Sequence, residues 1–152
     1  MTRITYYPGC SLKNTAKNFE DSTMAVSKTL NIELVEPERW NCCGTVHALA
    51  TDDVMHHLAP IRNMIRVEEL ANQEKVDSKK MVTLCAMCYN TLKRANQAFN
   101  SDSDKKKKIR DVMYREDIEY SGKVEIFHLL EILREGGWEK VKEISQKPLE
   151  GL

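Results

Sequence analysis

With 152 residues, 41% of them hydrophobic and 30% charged, the chain is long enough for one domain that buries its own core. Its 23 basic and 23 acidic side chains balance, which leaves no basic field of the kind that binds nucleic acid. No apolar run approaches the roughly 18 residues of a membrane-spanning helix, and the N-terminus lacks the basic-then-apolar pattern of a secretory signal. We therefore expect a cytoplasmic protein without a membrane span.

The chain begins with a strand and a helix on either side of its first cysteine. Residues 3–7 are rich in β-branched and aromatic side chains, which predicts a strand that ends at Pro8 and Gly9, directly before Cys10. The next pattern predicts one helix with Ser11 as its N-cap. Its core-facing positions are expected to be Leu12, Ala16, Phe19, Thr23, Val26 and Leu30.

The second strand precedes an adjacent pair of cysteines. Residues 32–35 predict this short strand, and the loop that follows it carries Cys42 and Cys43. A long helix is predicted over residues 51–73. Pro60 lies within it and removes one backbone hydrogen bond, so we expect a kink there or two abutting helices.

The third strand again leads directly into a cysteine. Residues 81–84 predict the strand, and Cys85 is the next residue. In the helix that follows, Cys88 is at helical spacing with apolar residues, so we expect its thiol to face inward from the first turn. The remaining predicted elements are a helix, a fourth strand, a short helix and an amphipathic tail, at residues 101–115, 123–127, 128–133 and from 138 onward.

Strands that alternate with helices predict an α/β fold, with about four parallel strands and helices on both faces of the sheet. In such sheets, binding sites gather beyond the carboxyl ends of the strands. The cysteines that follow the first three strands should therefore meet at that edge, although they are distant in sequence. The whole chain, residues 1–152, is expected to be one cysteine-rich domain.

The cysteines form the pattern C-x31-C-C-G-x40-C-x-x-C, and they are the only five in the chain. An odd number of thiols in a reducing compartment favours metal binding over structural disulfides. Iron–sulfur clusters are held by cysteine thiolates, and a C-x-x-C at a helix start places backbone N–H groups beside them. We expect one iron–sulfur centre at this site.

Two other functions remain open from the residues alone. A zinc ion takes four ligands in a closed tetrahedron, commonly from two C-x-x-C units, so a zinc-binding docking module of a redox complex would use only part of the thiol set. A thiol–disulfide oxidoreductase could act through Cys85 and Cys88, which leaves the other three cysteines without a role. The presence of iron with acid-labile sulfide would distinguish an iron–sulfur protein from both of these alternatives.

The cysteine pattern resembles the cysteine-rich CCG domain found in the B subunit of heterodisulfide reductase. The residues that carry the resemblance are Tyr-Tyr-Pro-Gly-Cys-Ser at 6–11, Asn-Cys-Cys-Gly at 41–44 and Cys-Ala-Met-Cys at 85–88. Further support comes from Glu-Glu-Leu-Ala at 68–71 and from Phe-His-Leu-Leu-Glu-Ile-Leu at 127–133. The likeness extends over nearly the whole chain.

The resemblance implies a non-cubane [4Fe-4S] centre, which consists of two fused smaller iron–sulfur units and can be absent from an isolated or oxidised domain. Its ligands are then all five cysteines, namely Cys10, Cys42, Cys43, Cys85 and Cys88. The resemblance further implies electron transfer to a disulfide or thiol substrate in anaerobic metabolism, with iron–sulfur and flavin subunits as partners. Because the family protein normally carries two such domains, we expect this chain to correspond to the N-terminal one, either excised or as a one-domain relative, and to be inactive alone.

Other residues near the cysteines are expected to have structural roles. His47 follows the cysteine pair and is expected to be a loop residue rather than a proton donor, and His128 is expected to pack and cap. Lys105–Lys108 are expected on a solvated helix face, with contact to an acidic partner as the alternative. Met81 and Met87 are expected to fill the core.

Overall fold

The computed structural model describes residues 1–46, 54–136 and 138–145. Within these residues the chain forms four strands and seven helices. The strands are β1 Thr2–Tyr7, β2 Ile32–Val35, β3 Lys80–Thr83 and β4 Glu125–His128. The helices are α1 Gly9–Lys13, α2 Lys17–Thr29, α3 Met55–Asn72, α4 Ala86–Ser101, α5 Ser103–Val112, α6 Leu129–Glu135 and α7 Trp138–Ile144.

The four strands are all parallel and lie in the order β2-β1-β3-β4. β1 pairs with β2 on one side, where Thr5 lies opposite Val35, and with β3 on the other side, where Thr5 lies opposite Met81. β3 then pairs with β4, and Thr83 lies opposite His128. The predicted α/β fold with a four-stranded parallel sheet is therefore confirmed.

The sheet is covered on both faces, because neighbouring residues along each strand point to opposite sides. Tyr7 and Met81 lie in one apolar cluster with residues of α3, α4 and α5. Tyr6 and Val82 lie in a second cluster, together with Leu12 of α1 and residues of α6. All four strand residues are fully buried, so β1 and β3 form the centre of the molecule.

The first helical region differs from the prediction of one continuous helix capped by Ser11. α1 ends at Lys13, and Ser11 lies inside it rather than at its start. The side chain of Asn14 donates a hydrogen bond to the carbonyl oxygen of Cys10 at 2.8 Å, which occupies a carbonyl at the end of α1. α2 then begins separately, so Cys10 is held on a short helix of its own.

The buried face of α2 also differs from the predicted apolar stripe. Phe19 and Val26 are exposed, whereas Thr23 is buried as predicted, together with Glu20 and Ser27. The buried carboxylate of Glu20 lies 2.9 Å from the ammonium of Lys13 on α1. Separating a buried carboxylate from its cation is costly, which favours the observed orientation of α2.

The remaining helices largely follow the sequence signals. α3 runs as one helix through Pro60, so the two abutting helices suggested by the proline are not formed, and its predicted start near residue 51 lies outside the described residues. α5 starts two residues after the predicted residue 101, where the Asp102 carboxylate caps the helix by accepting bonds from the backbone N–H groups of Asp104 and Lys105. No helix in the described ranges is long and apolar enough to cross a membrane.

Candidate metal centre

The five cysteines lie beyond the carboxyl ends of the strands, as the order of strands and helices predicts. Cys10 sits in α1, directly after β1, and Cys42 and Cys43 lie in the loop that follows β2. Cys85 is the N-cap of α4, where its sulfur accepts from the backbone N–H of Cys88 at 3.5 Å. Three segments that are distant in sequence therefore reach one edge of the sheet.

The five thiols lie close enough at this edge to influence one another. The Sγ atoms of Cys43 and Cys88 are 3.4 Å apart. Burial and the nearby thiols of Cys43 and Cys10 raise the pKa of Cys42, and the nearby Cys85 contributes to the raised pKa of Cys88. All five are free thiols, and they differ in exposure: Cys10 and Cys42 are exposed, Cys85 is half-buried, and Cys43 and Cys88 are buried.

The buried pair shares its charge unequally. The thiol of Cys88 and the backbone N–H of Thr45 donate to the sulfur of Cys43, and they lower the pKa of Cys43 to about 6 although burial opposes this. The same bond to Cys43, together with burial, raises the pKa of Cys88. At neutral pH the pair therefore holds one negative charge and one proton between its two sulfurs.

Two glycines with left-handed backbone conformations flank the thiols. Gly9 has a φ of 71°, and a Cβ atom at this position would lie 3.1 Å from the Sγ of Cys88. Gly44 has a φ of 73°, although a Cβ there would meet only Ala59 at 3.6 Å. Gly44 is therefore required for its conformation, whereas Gly9 also allows its backbone to approach a buried thiol closely.

The donor set suits a cluster with several metal atoms better than one metal ion. Within the described residues, no three His, Cys, Asp or Glu side chains surround a single ion position. A structural zinc ion needs four such ligands around one point. In an iron–sulfur cluster the thiolates are spread over several irons, so five free thiols that reach one sheet edge from three segments fit that group.

The structure places the other predicted residues as follows. His47 lies outside the described residues. Met81 is buried as predicted, but Met87 is 44% exposed, because it lies between the two cysteines of the C-x-x-C on the outer side of the first turn of α4. Lys107 and Lys108 are exposed, whereas the ammonium of Lys106 lies over the ring of Phe99 at 5.1 Å.

His128 has the capping role that its position predicts. Its Nδ1 accepts from the backbone N–H of Leu130 at 3.3 Å, and the Glu131 carboxylate accepts from the backbone N–H of His128 at 2.8 Å, which completes a capping box for α6. Its Nε2 donates a hydrogen bond to the carbonyl oxygen of Leu84, at a distance of 3.0 Å. The ring therefore ties α6 to the residue that precedes the C-x-x-C.

We expect His128→Ala to lower the free energy of unfolding by about 1 kcal/mol, because the substitution removes an N-cap. His128→Asn should recover most of this loss, since asparagine is a favourable N-cap residue. Urea unfolding of both variants followed by circular dichroism measures the difference. Unchanged stability in His128→Ala, combined with altered metal content, would instead place the imidazole in the metal site.

Three residues near the thiols were not predicted from the sequence. Tyr7, Asn41 and Asn63 lie in direct hydrogen-bond contact beside the cysteine pair. Tyr7 and Asn41 belong to the motifs at 6–11 and 41–44, but those motifs do not indicate that the two residues bond each other, and Asn63 belongs to no motif. A polar residue within the apolar pattern of α3 was the one available signal for Asn63.

Comparison with known proteins identifies the family to which the sequence is similar. The cysteine-rich domain family, CCG, matches residues 4–93. The chain is 29% identical over 149 residues to the membrane anchor subunit of the 8-methylmenaquinol:fumarate reductase of Wolinella succinogenes. This alignment covers 98% of the chain and 49% of that subunit. The chain is also 26% identical over 152 residues to the B subunit of the ferredoxin/F(420)H(2)-dependent CoB-CoM heterodisulfide reductase of Methanosarcina acetivorans, and this alignment covers 99% of the chain and 48% of that subunit.

A third relative, from Archaeoglobus profundus, is named as a protein like the B subunit of heterodisulfide reductase; it is 24% identical over 154 residues and is covered to 49% of its length. The resemblance predicted from the cysteine pattern is thus confirmed. The chain spans about half the length of the curated relatives it matches. Two of these relatives are named for the B subunit of heterodisulfide reductase, and the other is named as part of a fumarate reductase.

Proposed function

The chain belongs to the cysteine-rich CCG domain family, and on this basis we propose that it is an iron–sulfur electron-transfer domain of a disulfide-reducing complex. The proposed cofactor is one non-cubane [4Fe-4S] centre held by Cys10, Cys42, Cys43, Cys85 and Cys88. The observation that carries the proposal is the meeting of five free thiols from three distant segments at one sheet edge, with Cys43 and Cys88 in direct contact. When bound, such a centre supplies electrons one at a time.

The residues of the chain contribute charge and access to this function. Cys43 is ionised near neutral pH, which supplies one of the thiolates that iron requires. The exposed thiols of Cys10 and Cys42 and the exposed side chain of Met87 leave the outer side of the site open. A partner protein or a thiol substrate can therefore approach from that side, while Cys43 and Cys88 remain shielded beneath.

The partners follow from the relatives. Because those proteins are named as subunits of larger reductases, we propose that this chain works with iron–sulfur and flavin subunits in the cytoplasm. Because the chain corresponds to about half of each relative, we further propose that a second domain of the same type completes the unit that reduces a disulfide. The domain alone is then competent for electron transfer but not for turnover.

The alternatives are less well supported. A zinc-binding docking module needs four ligands around one ion, so at least one of the five thiols would have no role. An oxidoreductase based on Cys85 and Cys88 alone is not favoured, because the buried Cys88 also contacts the thiol of Cys43 from another segment. Neither alternative gives a role to all five thiols.

Iron and acid-labile sulfide analysis with EPR, on protein reconstituted without oxygen, tests the proposal. We expect about four irons and four sulfides per chain, and loss of the intact centre on changing any one of the five cysteines to serine. If one of the five serine variants keeps the full content and spectrum, an ordinary cubane with four ligands replaces the non-cubane centre. Zinc without sulfide would identify the docking module instead.

A further inference from the structure

Asn63, in the middle of α3, forms two hydrogen bonds with the backbone of Asn41, the residue that precedes the cysteine pair. The backbone N–H of Asn41 donates to Oδ1 of Asn63 at 2.9 Å, and Nδ2 of Asn63 donates to the carbonyl oxygen of Asn41 at 2.8 Å. Both polar atoms of the side chain are thus used on one residue of the loop. The side chain is 1% exposed, so water does not compete for these bonds.

A buried tyrosine strengthens the same attachment. The hydroxyl of Tyr7 donates to the carbonyl oxygen of Asn41 at 2.9 Å, and its ring packs edge-on against Trp40 with the ring centres 5.9 Å apart. Burial raises the pKa of Tyr7, and the nearby thiols raise it further, so the hydroxyl keeps its proton and remains a donor. The carbonyl of Asn41 therefore accepts from two directions at once.

The side chain of Asn41 adds a third attachment to the same helix. Its Nδ2 donates to the carbonyl oxygen of Ala59 at 3.2 Å and to that of Cys42 at 2.8 Å. Ala59 lies one turn before Asn63 on α3, so the loop is bound along a stretch of the helix rather than at one atom. Residues 40–44 themselves form neither helix nor strand, and these bonds take the place of regular secondary structure.

The composition of α3 supports a specific role for Asn63. Its neighbours Ile61, Met64 and Ile65 are all buried apolar residues. An amide in such surroundings is costly unless its hydrogen bonds are made, and an apolar residue would pack there without that cost. We therefore attribute the presence of an asparagine at position 63 to its two hydrogen bonds with the backbone of Asn41, the residue before Cys42.

We propose that Asn63 is a positioning residue for Cys42 and Cys43, which holds the cysteine pair against Cys88 so that the five thiols keep their common arrangement. The link from this arrangement to an iron–sulfur centre rests on the function proposed above. The hydrogen bonds between Asn63 and Asn41 do not depend on a cofactor. Asn63 bonds the backbone of Asn41, and it acts on the thiols through the loop that continues from there.

Labelling of individual cysteines in the reduced, metal-free protein tests this role directly. The main variant is Asn63→Leu, which keeps the size of the side chain and removes both hydrogen bonds. We expect the rate of N-ethylmaleimide labelling at Cys43, followed by mass spectrometry, to rise about tenfold, because the loop opens more often. Labelling of Cys10, which is already exposed and lies on α1, should change little.

Glu68→Gln is the matched control, since Glu68 lies on the same helix, is 2% exposed, and bonds Ser121 rather than the cysteine loop. We expect it to lower stability without faster labelling of Cys43. If Asn63→Leu does not fold, Tyr7→Phe removes one bond to the same carbonyl and should give a smaller increase at Cys43. Unchanged labelling of Cys43 in the folded variant, or equal increases at all five cysteines in both Asn63→Leu and Glu68→Gln, would overturn the proposal.

A second measurement uses the reconstituted protein. In Asn63→Leu we expect a shifted midpoint potential and a broadened EPR signal, and in Glu68→Gln we expect the signal of the unsubstituted chain. Identical spectra and potentials in all three proteins would also contradict a positioning role. If the unsubstituted chain takes up no iron, the proposed function fails, whereas the labelling result still decides the role of Asn63.

Discussion

Replacing Gly9 by alanine is expected to reduce the iron retained after anaerobic reconstitution to about a tenth of the level of the unsubstituted chain, or less. Two effects act together. The φ of 71° disfavours any residue with a Cβ atom, and that atom would lie 3.1 Å from the Sγ of Cys88. The backbone cannot yield without displacing Cys10, which is the next residue. Iron and sulfide content per chain measures the effect.

Gly122→Ala provides the control for backbone strain. Gly122 has a φ of 83° and precedes β4, at the opposite end of the strands from the thiols. A Cβ there would meet the side chain of Asn100, which can move. We expect this variant to be less stable and yet to bind iron fully. Equal loss of iron in both variants would mean that general destabilisation, and not the close approach of Gly9 to Cys88, controls how much iron is bound.

In the reduced metal-free chain, Cys43 is expected to ionise near pH 6, far below an ordinary thiol. Below that pH both members of the pair with Cys88 are protonated, and above it the pair holds one thiolate, because the Cys88 thiol is the main donor to Cys43. Cys88→Ala removes this donor and should raise the pKa of Cys43. At pH 7 the ionised fraction of Cys43 would then fall from about nine-tenths to a few per cent if its pKa returned to about 8.5.

The ultraviolet absorbance of thiolates during a pH titration measures this difference. Cys10→Ala is the control, because Cys10 is exposed and its thiol contacts Cys42 rather than Cys43. This control should leave the transition near pH 6 in place. A transition near pH 6 that persists in Cys88→Ala would show that the thiol of Cys88 is not the group that lowers the pKa of Cys43.

The strands and the meeting of the cysteines could be predicted because both follow from short-range rules. Each strand is a run of β-branched or aromatic residues, and each of the first three leads into a segment that carries a cysteine. In a parallel sheet those ends share one edge, so Cys10, Cys43 and Cys88 are expected on the same side of the molecule. The predicted inward orientation of Cys88 is also confirmed, because Cys88 is buried in the first turn of α4.

The helix faces and the attachment of the loop could not be predicted, because they depend on contacts between distant residues. The orientation of α2 follows the ion pair of Glu20 with Lys13, and Lys13 also lies 2.6 Å from Glu36 after β2. No periodicity along α2 contains that information. Likewise, Asn63 gains its role only when the loop at Asn41 is placed against α3, 22 residues away.

The position of β3 inside the sheet has a consequence for biosynthesis. β3 lies between β1 and β4, and it brings Cys85 and Cys88, so a nascent chain that has emerged only to α3 has three thiols and an incomplete sheet. The strand that carries the last two sulfurs must enter beside β1 before the buried pair exists. The complete set of five thiols can therefore come together only after most of the domain has been synthesised.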